Sequence, residues 1–139
     1  MAAALETALA AFFDAAPHGA VAVYLFGSVA RGDDDEASDV DVAVLFDEPP
    51  TATLTGGRLS LEGELERHLR RSVDLVVLND ASADLVHRVL RDGRIVVDRD
   101  RAARLRFEVQ RRNEYFDLEP IRRAYRREPA GPDTFTTRP

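Results

Sequence analysis

The sequence predicts one small α/β (α+β) domain in which helices flank a mixed sheet of about four strands. The chain has 139 residues, which suffices for a single hydrophobic core and is too short for two. Apolar residues make up 45% of it, as in globular rather than disordered proteins. Short apolar runs alternate with segments of helical periodicity, and that alternation indicates the fold class. We expect the domain to span residues 1–128, and residues 129–139, with their Pro, Gly and Thr, to form a flexible tail.

Periodicity and turn residues define the elements of the first half. Leucine and phenylalanine side chains recur on one face of residues 2–16, which predicts a helix ended by the proline and glycine that follow. The apolar run at residues 20–26 predicts a buried strand, and the run at 39–46 predicts a second. The prolines and glycines within residues 47–57 indicate a loop.

The second half of the chain continues this alternation. Leucines at four-residue spacing predict a helix at residues 58–71, and the apolar run at 73–78 predicts the third strand. A helix at 82–91 precedes a short fourth strand at 94–97. A long arginine-rich helix then covers residues 100–118, up to a proline that bends or restarts it.

The most distinctive segment is a Gly-Ser pair followed, after ten residues, by two aspartates. Gly27 and Ser28 come directly after the first strand, and Asp39 and Asp41 begin the second. Residues i and i+2 of a strand share a face, about 6–7 Å apart. Neighbouring carboxylates repel each other unless a divalent cation lies between them. The turn offers backbone N–H groups and a hydroxyl that suit a phosphate. These residues therefore predict a site for a metal-bound nucleoside triphosphate.

A third carboxylate, Asp74, lies near the start of the third strand. Desolvating an unpaired carboxylate costs on the order of several kcal/mol, so Asp74 is either exposed at a strand edge, paired with an arginine, or part of the site. In the last case three carboxylates complete a two-metal centre, which binds the attacking and leaving oxygens of a phosphoryl displacement. The chain has no cysteine, so a metal ion would be bound by oxygen ligands, which Mg²⁺ prefers.

The charge pattern limits the possible partners. The net charge is −6, which argues against a general affinity for nucleic-acid phosphates. Arg31 follows the Gly-Ser pair and either reaches a phosphate or pairs with the acidic residues 33–36. No apolar run is long enough to span a bilayer, and the first helix lacks a basic leader. We therefore expect a cytoplasmic protein without a membrane or direct nucleic-acid partner.

The segments 27–32 (Gly-Ser-Val-Ala-Arg-Gly) and 38–42 (Ser-Asp-Val-Asp-Val) together resemble the signature of the minimal nucleotidyltransferases of the DNA polymerase β superfamily. The resemblance implies the small nucleotidyltransferase fold. It also implies that the Gly-Ser pair holds a triphosphate. Asp39 and Asp41 would bind two Mg²⁺ ions, and Asp74 would bind one of them and help to take the acceptor's proton.

Two downstream segments, residues 90–98 and 114–120, are similar to the antitoxins of HEPN/MNT toxin–antitoxin pairs. That resemblance implies a hetero-oligomer with a HEPN ribonuclease toxin, and transfer of AMP from ATP to a tyrosine of that toxin. Aromatic residues on and after the last helix, interspersed with arginines, are typical of interface hot spots. An alternative is that half of the apolar residues there cap the domain's own core. The candidate partner-binding residues are Phe107, Tyr115, Phe116 and Tyr125.

Two other functions share these motifs. A small-molecule nucleotidyltransferase, for example one acting on aminoglycosides, would use the same site, although such enzymes usually carry extra helical structure. A non-catalytic module could instead neutralise a toxin by binding alone, with a vestigial nucleotide site. A template-dependent polymerase is disfavoured because the chain is short and acidic and has no duplex-binding domain.

Overall fold

A computed structural model describes residues 2–32, 38–48, 54–118, 120–121 and 124. The helices are α1 (Ala2–Ala15), α2 (Gly27–Arg31), α3 (Leu54–Leu69), α4 (Ala83–Asp92) and α5 (Arg101–Asp117), and the strands are β1 (Ala20–Phe26), β2 (Val40–Phe46), β3 (Val73–Val77) and β4 (Arg94–Asp98). A single 3₁₀ turn, Leu78–Asp80, follows β3. The predicted α/β class is confirmed. The tail predicted at residues 129–139 lies outside the described residues.

The largest difference from the predicted elements concerns α3, which begins at Leu54 and not near residue 58. Its first turn therefore includes a Gly-Gly pair that the sequence pattern assigns to a loop, so the rest of the helix outweighs a weak local propensity. The helix ends at Leu69 because Arg70 adopts a left-handed conformation, with φ of 58°.

The sheet is mixed, with the strand order β3-β2-β1-β4. Strand β1 pairs antiparallel with both β2 and β4, whereas β2 and β3 run parallel. A parallel pair needs a crossover connection, and α3 lies within the chain segment that joins β2 to β3. The predicted mixed sheet of four strands is confirmed.

Helices cover both faces of the sheet. Helices α1 and α3 pack against one face, where Val23 and Leu25 of β1 point, and α4 and α5 cover the other face, where Tyr24 and Phe26 point. Strand β2 is buried on both sides, because Val40, Val42 and Val44 fill the first face and Ala43 and Leu45 fill the second. In the described part of the chain, none of the helices combines the length and the apolar character of a membrane span.

A buried polar network attaches α5 to the sheet. The Tyr24 hydroxyl donates a hydrogen bond of 2.7 Å to Glu108, which also accepts one of 2.8 Å from Arg104. Arg104 forms a second ion pair, 3.0 Å long, with Asp98 at the end of β4. Burial, together with the Glu108 carboxylate, raises the pKa of Tyr24 far above its usual range, so its hydroxyl stays protonated and donates. The network thereby holds α5 against β1 and β4.

Helix α3 supplies hydrogen-bond acceptors to the outer side of β3. The backbone N–H of Val73 donates to Glu66 and that of Leu75 donates to Glu62, each at 2.9 Å. Strand β3 is an edge strand, so these donors would otherwise lack a ladder partner. The two bonds flank Asp74 and hold its backbone against α3.

Candidate active site

Two carboxylates lie side by side on the sheet. The parallel strands β2 and β3 pair Asp41 with Asp74 in register, and β1 pairs Phe26 with Asp41 from the other side. Paired residues on neighbouring strands are about 5 Å apart and point to the same face. For these three residues that is the face covered by α4 and α5. The third predicted carboxylate is thus brought next to Asp41 by strand register.

A cavity of about 430 Å³ opens in front of this pair. The sheet forms one wall, α2 forms a second, and α4 forms the wall opposite the carboxylates. The lining residues are Phe26, Gly27, Ser28, Arg31, Asp41, Asp74, Val76, Leu85, Arg88 and Asp92. The predicted nucleotide ligands Gly27, Ser28 and Arg31 therefore share one cavity with Asp41 and Asp74.

Gly27 is in close contact with the Asp41 carboxylate. Its φ is +78°, a left-handed conformation that glycine adopts without strain. A Cβ atom at this position would overlap the Asp41 carboxylate group and lie 2.8 Å from its Cγ. The absence of a side chain at residue 27 therefore allows Asp41 to occupy its position beside the turn.

Asp39 lies at the margin of the site. It precedes the first paired residue of β2, is exposed, and is not among the residues that line the cavity. Its neighbours are held on both sides: Arg71 donates to the Ser38 carbonyl at 2.7 Å, and the Val40 N–H donates to the Ser72 carbonyl at 2.8 Å. Asp39 nevertheless acts on Asp41 through its charge, which raises the pKa of Asp41.

The site carries excess negative charge. Burial raises the pKa of Asp41, the charges of Asp74 and Asp39 raise it further, and Arg88 and Arg31 partly offset them. No described residue forms an ion pair or a hydrogen bond with the carboxylates of Asp41 and Asp74. Two adjacent carboxylates with unused oxygen atoms are a donor set that fits a hard divalent cation.

The predicted centre of three carboxylates is not assembled as a cluster. Among the described residues, no group of three or more acidic or histidine side chains lies close enough together to hold an ion. The physical reason is that Asp39 lies before the β-ladder begins, whereas Asp41 and Asp74 lie within it. A cation at the Asp41–Asp74 pair would therefore take further ligands from a bound substrate or from water.

The wall formed by α4 is absent from the sequence prediction. Leu85, Arg88 and Asp92 follow helical spacing of i, i+3 and i+7, which places them on one stripe beside the buried stripe of Val86 and Val89. This spacing is visible in the sequence and groups the residues. The direction in which the stripe faces depends on how α4 packs against the sheet.

The predicted partner-binding residues have different environments. Phe107 is half-buried and packs against the core under α5. The ring of Tyr115 stacks on His87 of α4, with a centroid distance of 3.7 Å and an interplanar angle of 3°. Phe116 is 59% exposed. Tyr125 lies outside the described residues.

Comparison with protein families gives a match to the polymerase beta nucleotidyltransferase family over residues 11–102, a range that contains every residue lining the cavity. No curated protein sequence matches the chain.

The chain is also similar to solved structures. One is a toxin–antitoxin crystallised with AMP-PNP, at 28% identity over 86% of this chain and 94% of that chain, with a TM-score of 0.73. A second is the toxin–antitoxin MntA–HepT, at 26% identity over 87% and 92% of the two chains, with a TM-score of 0.67. A third is a tri-AMPylated Shewanella oneidensis HEPN toxin in complex with an MNT antitoxin, at 27% identity over 90% and 95%, with a TM-score of 0.68.

Proposed function

The chain belongs to the polymerase beta nucleotidyltransferase family, and we propose that it is an antitoxin that transfers AMP from ATP to a tyrosine of a HEPN-domain toxin. The observation that carries the proposal is the in-register pair of Asp41 and Asp74 at a cavity that Gly27 and Ser28 also line. The similar toxin–antitoxin structures support the choice of partner, since one contains AMP-PNP and another a tri-AMPylated HEPN toxin.

Asp41 and Asp74 would hold Mg²⁺, and Asp39, at the margin of the site, adds its negative charge. When bound, Mg²⁺ neutralises phosphate charge and lowers the pKa of a coordinated hydroxyl. Gly27 leaves the room that the Asp41 carboxylate needs, and Ser28 lines the cavity, where its hydroxyl would donate to a phosphate oxygen. Arg31 adds a positive charge on the same side.

In the reaction, the tyrosine oxygen forms a bond to the α-phosphorus of ATP. The bond from that phosphorus to the bridging oxygen of the pyrophosphate breaks, and pyrophosphate leaves. The tyrosine proton, with an ordinary pKa of about 10, has to be accepted as the bond forms. Asp74 is exposed at the rim of the cavity and is the carboxylate that an entering side chain would meet, so we assign the proton to it.

The test uses the purified chain, the toxin encoded beside it, Mg²⁺ and ATP labelled at the α-phosphorus. We expect label on the toxin with the wild-type chain and none with Asp41→Asn. ATP labelled at the γ-phosphorus should leave the toxin unlabelled, which separates nucleotidyl from phosphoryl transfer. An unlabelled toxin together with a labelled aminoglycoside would favour the small-molecule enzyme. Full protection of cells by Asp41→Asn would favour neutralisation by binding alone.

We further propose that the toxin docks on an exposed apolar stripe of α5, formed by Leu105, Val109 and Phe116. Their exposed fractions are 40%, 56% and 59%. The spacing of four and then seven residues places them along one side of the helix. The network around Glu108 holds an adjacent side of α5 on the sheet and leaves the stripe exposed. The stripe is therefore a rigid apolar surface suited to a helical partner.

Replacing Phe116 with alanine should weaken the complex with the toxin by about tenfold or more, since exposed aromatic anchors carry much of an interface's binding energy. The melting temperature of the free chain should stay unchanged, because the ring is largely exposed. Ile95→Ala is the matched control, since Ile95 is 44% exposed on β4, outside the stripe. Surface plasmon resonance with immobilised toxin measures both variants, and equal affinities for the two would contradict the assignment.

A further inference from the structure

The wall opposite the carboxylates carries one positively charged side chain, Arg88. It is exposed on α4 and lines the cavity together with Asp41 and Asp74. Its charge lowers the pKa of Asp41 more strongly than the charge of Arg31 does. The guanidinium therefore acts electrostatically on the site across the cavity.

Arg88 lies near Asp92, whose pKa its charge lowers, but no described acid is bonded to it. Asp92, one turn later on the same helix, is held by Arg91 through two bonds of 2.9 Å. Within the described residues, Arg88 forms neither an ion pair nor a hydrogen bond. Two other arginines on this side of the sheet already have partners: Arg104 forms an ion pair with Glu108, and Arg111 donates to the carbonyls of Leu78 and Ala81.

A nucleoside triphosphate is the ligand that this arrangement fits. Its phosphates bring about four negative charges to a site that already holds Asp41 and Asp74, so binding requires cations. The chain has no lysine, and among the described residues the cations that line the cavity are Arg31 and Arg88. A guanidinium binds phosphate oxygens through two parallel hydrogen bonds, which a single ammonium group cannot reproduce.

The position of Arg88 bears on which phosphates it would bind. The α-phosphorus and the acceptor have to meet near Asp74, on the sheet side, if Asp74 takes the acceptor's proton. The β- and γ-phosphates would then lie between α2 and α4, the two walls of the cavity that carry Arg31 and Arg88. These two phosphates leave as pyrophosphate and gain negative charge as the bond breaks, so a cation beside them stabilises the transition state.

We propose that Arg88 binds the β- and γ-phosphates of the nucleotide and stabilises the departing pyrophosphate. The inference rests on the proposed nucleotidyl transfer but does not depend on the identity of the acceptor. It makes α4 a part of the nucleotide site, in addition to the Gly-Ser turn and the aspartates.

The experiment compares the binding of ATP and AMP to the whole chain by isothermal titration calorimetry in the presence of Mg²⁺. Arg88→Ala should weaken ATP binding by about tenfold or more, since hydrogen bonds to charged groups are worth about 1.5–3 kcal/mol. The same variant should change AMP binding by less than about threefold, because AMP lacks the two outer phosphates. Arg88→Lys should recover part of the ATP affinity, because lysine keeps the charge but cannot form the two parallel hydrogen bonds of a guanidinium.

Arg67→Ala is the matched control, since it removes the same charge from an exposed helix position on α3, on the other side of the sheet. It should leave both affinities unchanged. Equal weakening of ATP and AMP by Arg88→Ala, or no weakening of ATP, would overturn the proposal. The binding assay needs no toxin. If Arg88→Ala loses affinity for ATP alone while the wild-type chain leaves the toxin unmodified, only the proposed acceptor is refuted.

Discussion

The Asp41→Asn variant is expected to lose nucleotidyl transfer almost completely and to be more stable than the wild-type chain at neutral pH. Asp41 is the carboxylate that the sheet places between Phe26 and Asp74. Removing its charge removes a cation ligand, which should lower the transfer rate by about a thousandfold or more. The same change removes a partly buried charge that Asp74 and Asp39 repel, so the free chain should melt at a higher temperature.

The gain in stability should depend on pH. The pKa of Asp41 is raised above its ordinary value of 3.8 in the folded chain, so the folded state binds the proton more tightly than the unfolded state. The stability that this protonation contributes is complete below about pH 3.8 and is lost as the pH rises through the folded-state pKa. The difference between the melting temperatures of Asp41→Asn and the wild type should therefore grow as the pH rises above about 4. It should become constant at neutral pH.

Thermal unfolding between pH 3 and 8, without added metal, measures this divergence. Asp47→Asn is the matched control, because it removes an exposed carboxylate just after β2, away from the cavity. Its melting temperature should follow the wild type at every pH. An Asp41→Asn variant that melts below the wild type at pH 7 would show that the carboxylate is satisfied in the free chain.

The second large effect is expected for Gly27→Ala, which should both destabilise the chain and lower transfer by about a hundredfold or more. A left-handed conformation costs a non-glycine residue about 1–2 kcal/mol. The added methyl group would also overlap the Asp41 carboxylate. The atoms that the methyl group would overlap belong to the Asp41 side chain, so relief would come from displacement of Asp41, and misplaced catalytic groups lose rate steeply.

Gly32→Ala separates these two causes. Gly32 has a φ of +80°, almost the same as Gly27, but a Cβ atom there would have no neighbour within 4 Å among the described residues. We expect urea unfolding to show about 1 kcal/mol of destabilisation for Gly32→Ala with nearly full activity. Similar activity in the two variants would mean that backbone strain alone matters and that the contact between Gly27 and Asp41 does not.

The sequence predicts the parts of the site that lie within one local unit. The turn at Gly27 and the start of β2 follow from nearby apolar runs and from motif spacing, and the structure brings Gly27, Ser28 and Asp41 to one cavity. The partnership of Asp41 with Asp74 depends on the register of two parallel strands joined through α3, which periodicity does not specify. Whether Arg88 faces the cavity depends on the rotation of α4 about its axis, which only the tertiary packing determines.

Helix α3 also helps to set the register of β3. Glu62 and Glu66 are one helical turn apart, a rise of about 6 Å, and they accept hydrogen bonds from Leu75 and Val73, whose separation along a strand is about 6.6 Å. The two spacings agree, so both bonds form together in the observed alignment. A slip of one residue would break both and turn Asp74 towards the opposite layer. Two glutamates remote from the chemistry thus set the alignment on which it depends.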